Sequence, residues 1–174
     1  RSTHPRVAPH NVYRCRGHDQ WCAITVFREN EWQKFCKAIG QLPWTRDSRF
    51  ATNQSRVTHE EELDALIENW TKEQDARDVM AILQAAGVAA GVVQTSRDKL
   101  DTDPQLRARE FFPAIEHPEI GTYEFEGFPT KFSLGEVPFK QASPVLGQDN
   151  ELVFKDLLGL DAHLFNQYAS EAVF

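Results

Sequence analysis

The chain has 174 residues, 41% of them hydrophobic and 11% aromatic, and carries a formal net charge of −7. That is enough apolar material for one compact domain, and the acidic balance excludes a nucleic-acid surface, which needs clustered Lys and Arg to release phosphate counterions. No run approaches the roughly 18 apolar residues of a membrane span, and residues 1–10 lack the apolar core of a signal peptide, so a soluble cytoplasmic protein with no membrane partner is expected.

Residues 1–9, RSTHPRVAP, are polar, Pro-containing and aperiodic, and read as a linker. Residues 12–16 and 21–27 are rich in β-branched and aromatic side chains around a turn-prone GHDQ, the pattern of a hairpin. In the second strand Cys22, Ile24 and Val26 face one way and Trp21, Ala23, Thr25 and Phe27 the other; both faces are largely apolar, so cover on each side is expected. Trp32, Phe35, Cys36 and Ile39 follow at helical spacing and end at Gly40. Residues 41–52 form a loop pinned by Trp44 and Phe50.

Thr58-His59-Glu60-Glu61 has the form of a capping box, with Leu63, Leu66, Ile67 and Trp70 as the apolar stripe behind it. Glu60, Glu61, Glu62 and Asp64 lie in its first turns, where acidic side chains favour the helix dipole, and read as a solvated face. Thr71–Gln74 repeats the capping pattern before the stripe of Ala76, Val79, Met80 and Leu83, which Gly87 ends. Residues 88–93 read as a short buried strand in which Gly91 admits a close backbone neighbour. After a polar break, Asp103-Pro104 opens a short helix, and 112–116 with 122–125 form a second hairpin around HPEIG. Pro129, Gly135, Pro138 and Pro144 break the chain after it. Residues 147–158 give one more helix with Val153, Phe154 and Leu157 inward, and Asp161 starts the last. The fold class is therefore α+β, small antiparallel sheets packed with amphipathic helices.

Chemistry is sparse. The glycines of 85–91 have neither P-loop nor dinucleotide spacing, and no serine sits in a nucleophile elbow. His4, His10, His18, His59, His117 and His163 are scattered, so no metal is expected. Cys15, Cys22 and Cys36 are odd in number and lack metal or redox spacing; Cys15 and Cys22 flank one turn, but unpaired thiols are the simpler reading. Arg14 and Arg16 alternate on the first strand and can meet an anionic ligand together, and His10 and Tyr13 suit a polar site where the linker enters the domain. These four are the candidate substrate-proximal residues, with packing or solvent as the competing fate of each.

The order of segments resembles the C-terminal half of the class III CoA-transferases, the CaiB/BaiF family. The resemblance rests on APHNVYRC at 8–15, DSRFATNQSRVTHEEELDALIENWT at 47–71, LQAAGVAAGVV at 83–93 and DPQLRAREFF at 103–112, and continues in HPEIGTYEFEGFPTKFS and SPVLGQDNELVFKDLLGL. Family members tend to have proline at Ala89 and Val92, glycine at Glu110 and often histidine at Asp149. The family's nucleophilic aspartate lies in its N-terminal half, so the resemblance assigns that role to no residue here and implies that the chain is inactive alone.

It implies further a linker at 1–11, the family's small domain at 12–133, a returning linker at 134–146, and C-terminal helices at 147–174 that belong with the large domain. Implied with them are an N-terminal large domain as partner, a homodimer, no permanently bound cofactor, and a CoA thioester as substrate of the parent enzyme. The stripe of Leu152, Val153, Phe154, Leu157 and Leu158 is then expected to pack on another copy or to remain mobile. The alternatives are a parent acyl-CoA racemase of the same fold, exchanging the proton on the carbon beside the thioester, and a free-standing interaction module.

Overall fold

The computed structural model describes residues 6–135 and 141–174, which leaves parts of both expected linkers, 1–5 and 136–140, together with His4 and Pro138, outside the described residues. The chain forms two units, Arg1–Thr95 and Ser96–Phe174.

The first unit opens with the strands β1 (His10–Arg14) and β2 (Trp21–Thr25), then the helix α1 (Glu29–Ala38) and two 3-10 turns at Pro43–Arg46 and Ser48–Phe50. The helices α2 (Asn53–Thr58), α3 (Glu60–Thr71) and α4 (Ala76–Ala85) follow, and β3 (Ala89–Val92) closes it. The sheet is antiparallel in the order β1-β2-β3, with Tyr13 opposite Cys22 and Ala23 opposite Gly91. Because side chains alternate along a strand, this register puts Tyr13, Cys22 and Ile24 on one face. They are buried there in one core with Trp32 and Phe35 of α1, Leu63 and Ile67 of α3, and Val79 and Leu83 of α4. Gly40 and Gly87, at φ +81° and +75°, occupy the left-handed conformation that ends α1 and α4.

Several expectations are corrected. Within the described residues of the first unit the second face of β2 is covered only in part: Trp21, Ala23 and Thr25 are half-buried and Phe27 is 57% exposed, because the core helices of that unit pack on the other face. For the same reason β3 is only partly buried, and a Cβ built on Gly91 meets no described atom within 4 Å. Thr58 does not cap α3, whose N-terminal flanking residue His59 makes no side-chain cap bond; the side-chain cap lies one helix earlier, at Thr52. Thr52 accepts from the Ser55 N–H at 3.2 Å and opens α2, whereas Thr58 ends that helix with its hydroxyl on the Gln54 carbonyl at 3.1 Å. Thr71 is likewise no cap. It is fully buried at the end of α3 and donates to the Arg14 carbonyl at 2.7 Å, while Asp75 caps α4.

The second unit begins with α5 (Ser96–Asp101), a helix within what the sequence suggested was a polar break. Its ends are tied by polar side chains, with Arg97 reaching Asp101 at 3.1 Å and the Thr102 hydroxyl reaching the Asp98 carbonyl at 3.0 Å. In α6 (Pro104–Ala108) Asp103 caps as expected, accepting from the Leu106 N–H at 2.8 Å. The strands β4 (Ala114–His117) and β5 (Gly121–Glu124) make the expected hairpin. Glu110, where the family tends to have glycine, has φ +51°, a conformation that costs a residue with a Cβ about 1 kcal/mol or more.

Glu151–Leu157 is a π-helix, and α7 (Ala162–Ser170) follows, capped by Asp161. Val153 and Leu157 do not turn inward, the latter being 72% exposed, because the wider turn moves side chains off the 3.6-residue stripe. Phe154 does, stacking on Phe174 at 4.2 Å, and Phe174 also meets Phe165 at 5.0 Å. Among the described residues no helix is long and apolar enough to cross a membrane.

Candidate functional site

β1 is an edge strand with α3 packed along it, and between them lies a cleft of about 400 Å³. The inward alternation of β1 brings Asn11 and Tyr13 to this cleft, and α3 contributes Glu61, Asp64 and Glu68, spaced so that all three share one helix face. Val12 of β1, Ala65 of α3 and Trp21 of β2 complete its lining. Asp64 is only 7% exposed. The Tyr13 hydroxyl donates to its Oδ1 at 2.7 Å and Asn11 Nδ2 to its Oδ2 at 2.6 Å, so both carboxylate oxygens are engaged. Asn11 is oriented in turn by the Val12 N–H, which donates to its Oδ1 at 2.9 Å.

Asp64 is therefore a buried acceptor and not, as its position in an acidic first turn suggests, part of a solvated face. It lies on the same helix face as Ile67 and Thr71, three and seven residues on, both fully buried, and that spacing is the signal that was available. With three carboxylates and no described cation, the lining suits a neutral or cationic group and repels phosphate.

Of the four residues singled out in the sequence, Tyr13 alone lines this cleft. His10 lies on the opposite face of the sheet, with Nδ1 3.1 Å from the Thr25 hydroxyl and its ring edge-on to Phe27 at 6.3 Å. Arg14 covers the Trp21 ring at 5.0 Å, beside a smaller pocket of about 250 Å³ that also includes His18 and Asp19. Arg16 lies beyond the end of β1, where its N–H donates to the Gln74 carbonyl at 2.8 Å and Nη1 is 3.5 Å from the Glu73 carbonyl. The two arginines thus point to different neighbours.

Burial raises the thiol pKa of Cys15 to about 11, that of Cys22 to about 12 and that of Cys36 to about 11, so at neutral pH none offers a thiolate. Among the described residues all three are free, and no group of three His, Cys, Asp or Glu side chains is placed to hold a metal ion.

A profile described as CoA-transferase family III matches residues 1–150, most of the chain. The chain belongs to CoA-transferase family III. This family III chain is 34% identical over 177 aligned residues to a probable CoA-transferase of Mycobacterium tuberculosis, an alignment covering 98% of the chain and 22% of that protein. It is 33% identical over 156 residues to the succinyl-CoA–D-citramalate CoA-transferase of Chloroflexus aurantiacus, covering 90% of the chain and 38% of the relative. A crystal structure of a CaiB/BaiF family protein from Brucella suis superposes with a TM-score of 0.71 at 28% identity, over 88% of the chain and 39% of the other. The family III chain therefore spans well under half the length of these relatives. Its α+β class, with small antiparallel sheets and packed helices, accords with that structure.

Proposed function

We infer that this chain is the small-domain and C-terminal portion of a family III acyl-CoA transferase, moving CoA between a thioester and a carboxylic acid. In this reading it shapes the acceptor side of the active site and part of a homodimer, and an N-terminal large domain supplies the nucleophile. Residues 12–133 are the small domain, 1–11 and 134–146 its connections, and 147–174 the helices that pack with the large domain. A CoA thioester is the substrate, no cofactor is held permanently, and the setting is cytoplasmic.

The observation that carries this reading is the family match over residues 1–150, in a chain that covers 38% of a relative named for succinyl-CoA and D-citramalate. The chemistry of the side chains supports the same division of labour. Covalent catalysis needs an activated nucleophile, and here the thiols stay protonated while Asp64 is buried with both oxygens accepting hydrogen bonds. The exposed Leu152, Leu157 and Leu158 of the C-terminal segment fit a face covered in the whole protein.

A chimera tests it: the 156-residue matching part of the Chloroflexus enzyme is replaced by the corresponding part of this chain. CoA transfer from succinyl-CoA that depends on the Chloroflexus remainder is the expected result. A folded chimera with no transfer counts against the proposal.

A further inference from the structure

A second pocket, of about 250 Å³, lies where the β1–β2 hairpin turns, and Arg14, Gly17, His18, Asp19 and Trp21 line it. Arg14 and Trp21 are the last register pair of the hairpin and stand side by side on the outer face of the sheet. Residues 15–20 connect the two strands, closed by the Cys15 N–H on the Gln20 carbonyl at 2.8 Å. Gly17 at φ +109° and Asp19 at φ +52° take left-handed backbone, and the turn they make brings His18 and Asp19 to the pocket that Arg14 and Trp21 wall.

The polar groups of this pocket are not spent on one another. The Trp21 indole donates from Nε1 to Asp19 Oδ1 at 2.8 Å, and the Arg14 guanidinium lies 5.0 Å from the centre of the indole ring. Asp19 thus turns its carboxylate to the indole: among the described residues no ion pair or hydrogen bond occupies the Arg14 guanidinium, and none occupies the His18 ring. An arginine beside an aspartate ordinarily closes its planar fork on that carboxylate, whereas here stacking sets the plane and leaves the N–H donors available. Arg16 takes no part, since its Nη1 turns to the Glu73 carbonyl, 3.5 Å away.

A guanidinium already held in one plane loses little further freedom when two of its N–H groups meet two oxygens of one ligand. The Asp19 charge opposes an anion and limits its affinity. Trp21 also lines the acidic cleft beside α3, so the two recesses that share this indole differ in the sign of the group they accept.

We propose that the pocket at the β1–β2 turn binds a small oxyanion, the phosphate or carboxylate group of a ligand, through two N–H donors of Arg14, with His18 as a further donor and Trp21 as the supporting wall. The site is independent of the reaction that the parent protein performs, because every group in it belongs to one hairpin.

Titration of the intact chain with inorganic phosphate and, separately, with acetate, each at constant ionic strength in chloride, tests the site through the NMR signals of the Trp21 indole N–H and the Arg14 Nε–H. At least one anion should move both signals along a saturating curve, with half-saturation at about 1–10 mM. Saturation by phosphate alone assigns a phosphate group, by acetate alone a carboxylate, and by both the oxyanion common to them. Arg14→Lys keeps the charge, loses the fork and should weaken binding about fivefold or more, and Arg14→Gln should abolish saturation at Trp21. Asp19→Asn keeps an acceptor for the indole N–H, suits the left-handed backbone and removes the opposing charge, so it should tighten binding about threefold or more. Both positions are exposed, so the variants keep the fold. Shifts that grow linearly with both anions, that saturate equally in Arg14→Gln, or that fail to tighten in Asp19→Asn would overturn the proposal.

Discussion

Arg56→Leu is expected to lower the stability of the first unit by about 3 kcal/mol, the scale for removing one partner from a buried charged network. The leucine fills much of the volume beside Trp32 but donates nothing to the carbonyls of Ala8 and Phe50, which keep the desolvation cost of burial. For a unit of this size the thermal midpoint should fall by about 12 °C or more, measurable by calorimetry. A shift of only one or two degrees would show that the network fixes geometry without contributing stability.

The ion pair of Arg56 with Glu29 sets the sign of an acid response. Burial pushes the Glu29 carboxyl up, but the hydrogen bonds from Arg56 and from the Asn53 N–H outweigh it and hold it below the ordinary range. A depressed carboxylate contributes stability that is complete above its unfolded value of about 4.3 and is lost as pH falls through the folded value. Glu29→Gln should therefore flatten the stability profile below about pH 4 and leave its slope at neutral pH unchanged. An unaltered acid limb in Glu29→Gln would contradict this account of the pair.

Asp64→Ala should cost about 3 kcal/mol, because it removes the acceptor of two charge-assisted bonds, each worth roughly 1.5–3 kcal/mol before relaxation. Tyr13→Phe deletes only one of them and should cost about half as much, with the double variant well short of the sum. These are unfolding measurements, and they separate two roles for the one carboxylate at the bottom of the cleft. In the chimera, Asp64→Asn is expected to retain CoA transfer, since an amide keeps an acceptor and the volume. Complete loss of transfer in a chimera of undiminished stability would instead make Asp64 a participant in the reaction.

The elements that followed from the sequence are those whose pattern and packing agree. The hairpin of β1 and β2 and the stripes of α1, α3 and α4 arise from local spacing that the core of the first unit then uses, and the cap at Asp103 and the second hairpin arise from local spacing alone. The misplaced caps share one cause: the hydroxyls of Thr58 and Thr71 serve carbonyls at Gln54 and Arg14, and only the latter's strand, far away in sequence, makes Thr71 a buried anchor. Arg56 left no trace in any pattern, because its partners are main-chain carbonyls at Ala8 and Phe50 and a carboxylate on another helix. The partial cover of the outer face of the sheet within the first unit was illegible for a different reason. Half-buried Trp21 and exposed Phe27 look the same in sequence whether or not a neighbour covers them.

For the candidate site, Tyr13 was legible and its partner was not. A tyrosine at the domain entry stands out, whereas Asp64 is hidden in an acidic helical turn of which Glu61 and Glu62 do face solvent. Arg14 and Arg16 show the converse. Their two-residue spacing suggested convergence, but β1 ends at Arg14, and the alternation that would align them ends with it.

A chain that shapes an active site without supplying its nucleophile is tested most directly by CoA exchange with the isolated 174 residues. With succinyl-CoA as donor and a free carboxylic acid as acceptor, the rate of new thioester formation should equal that of the protein-free mixture at every chain concentration. A rate that rises in proportion to the concentration of the chain would contradict it.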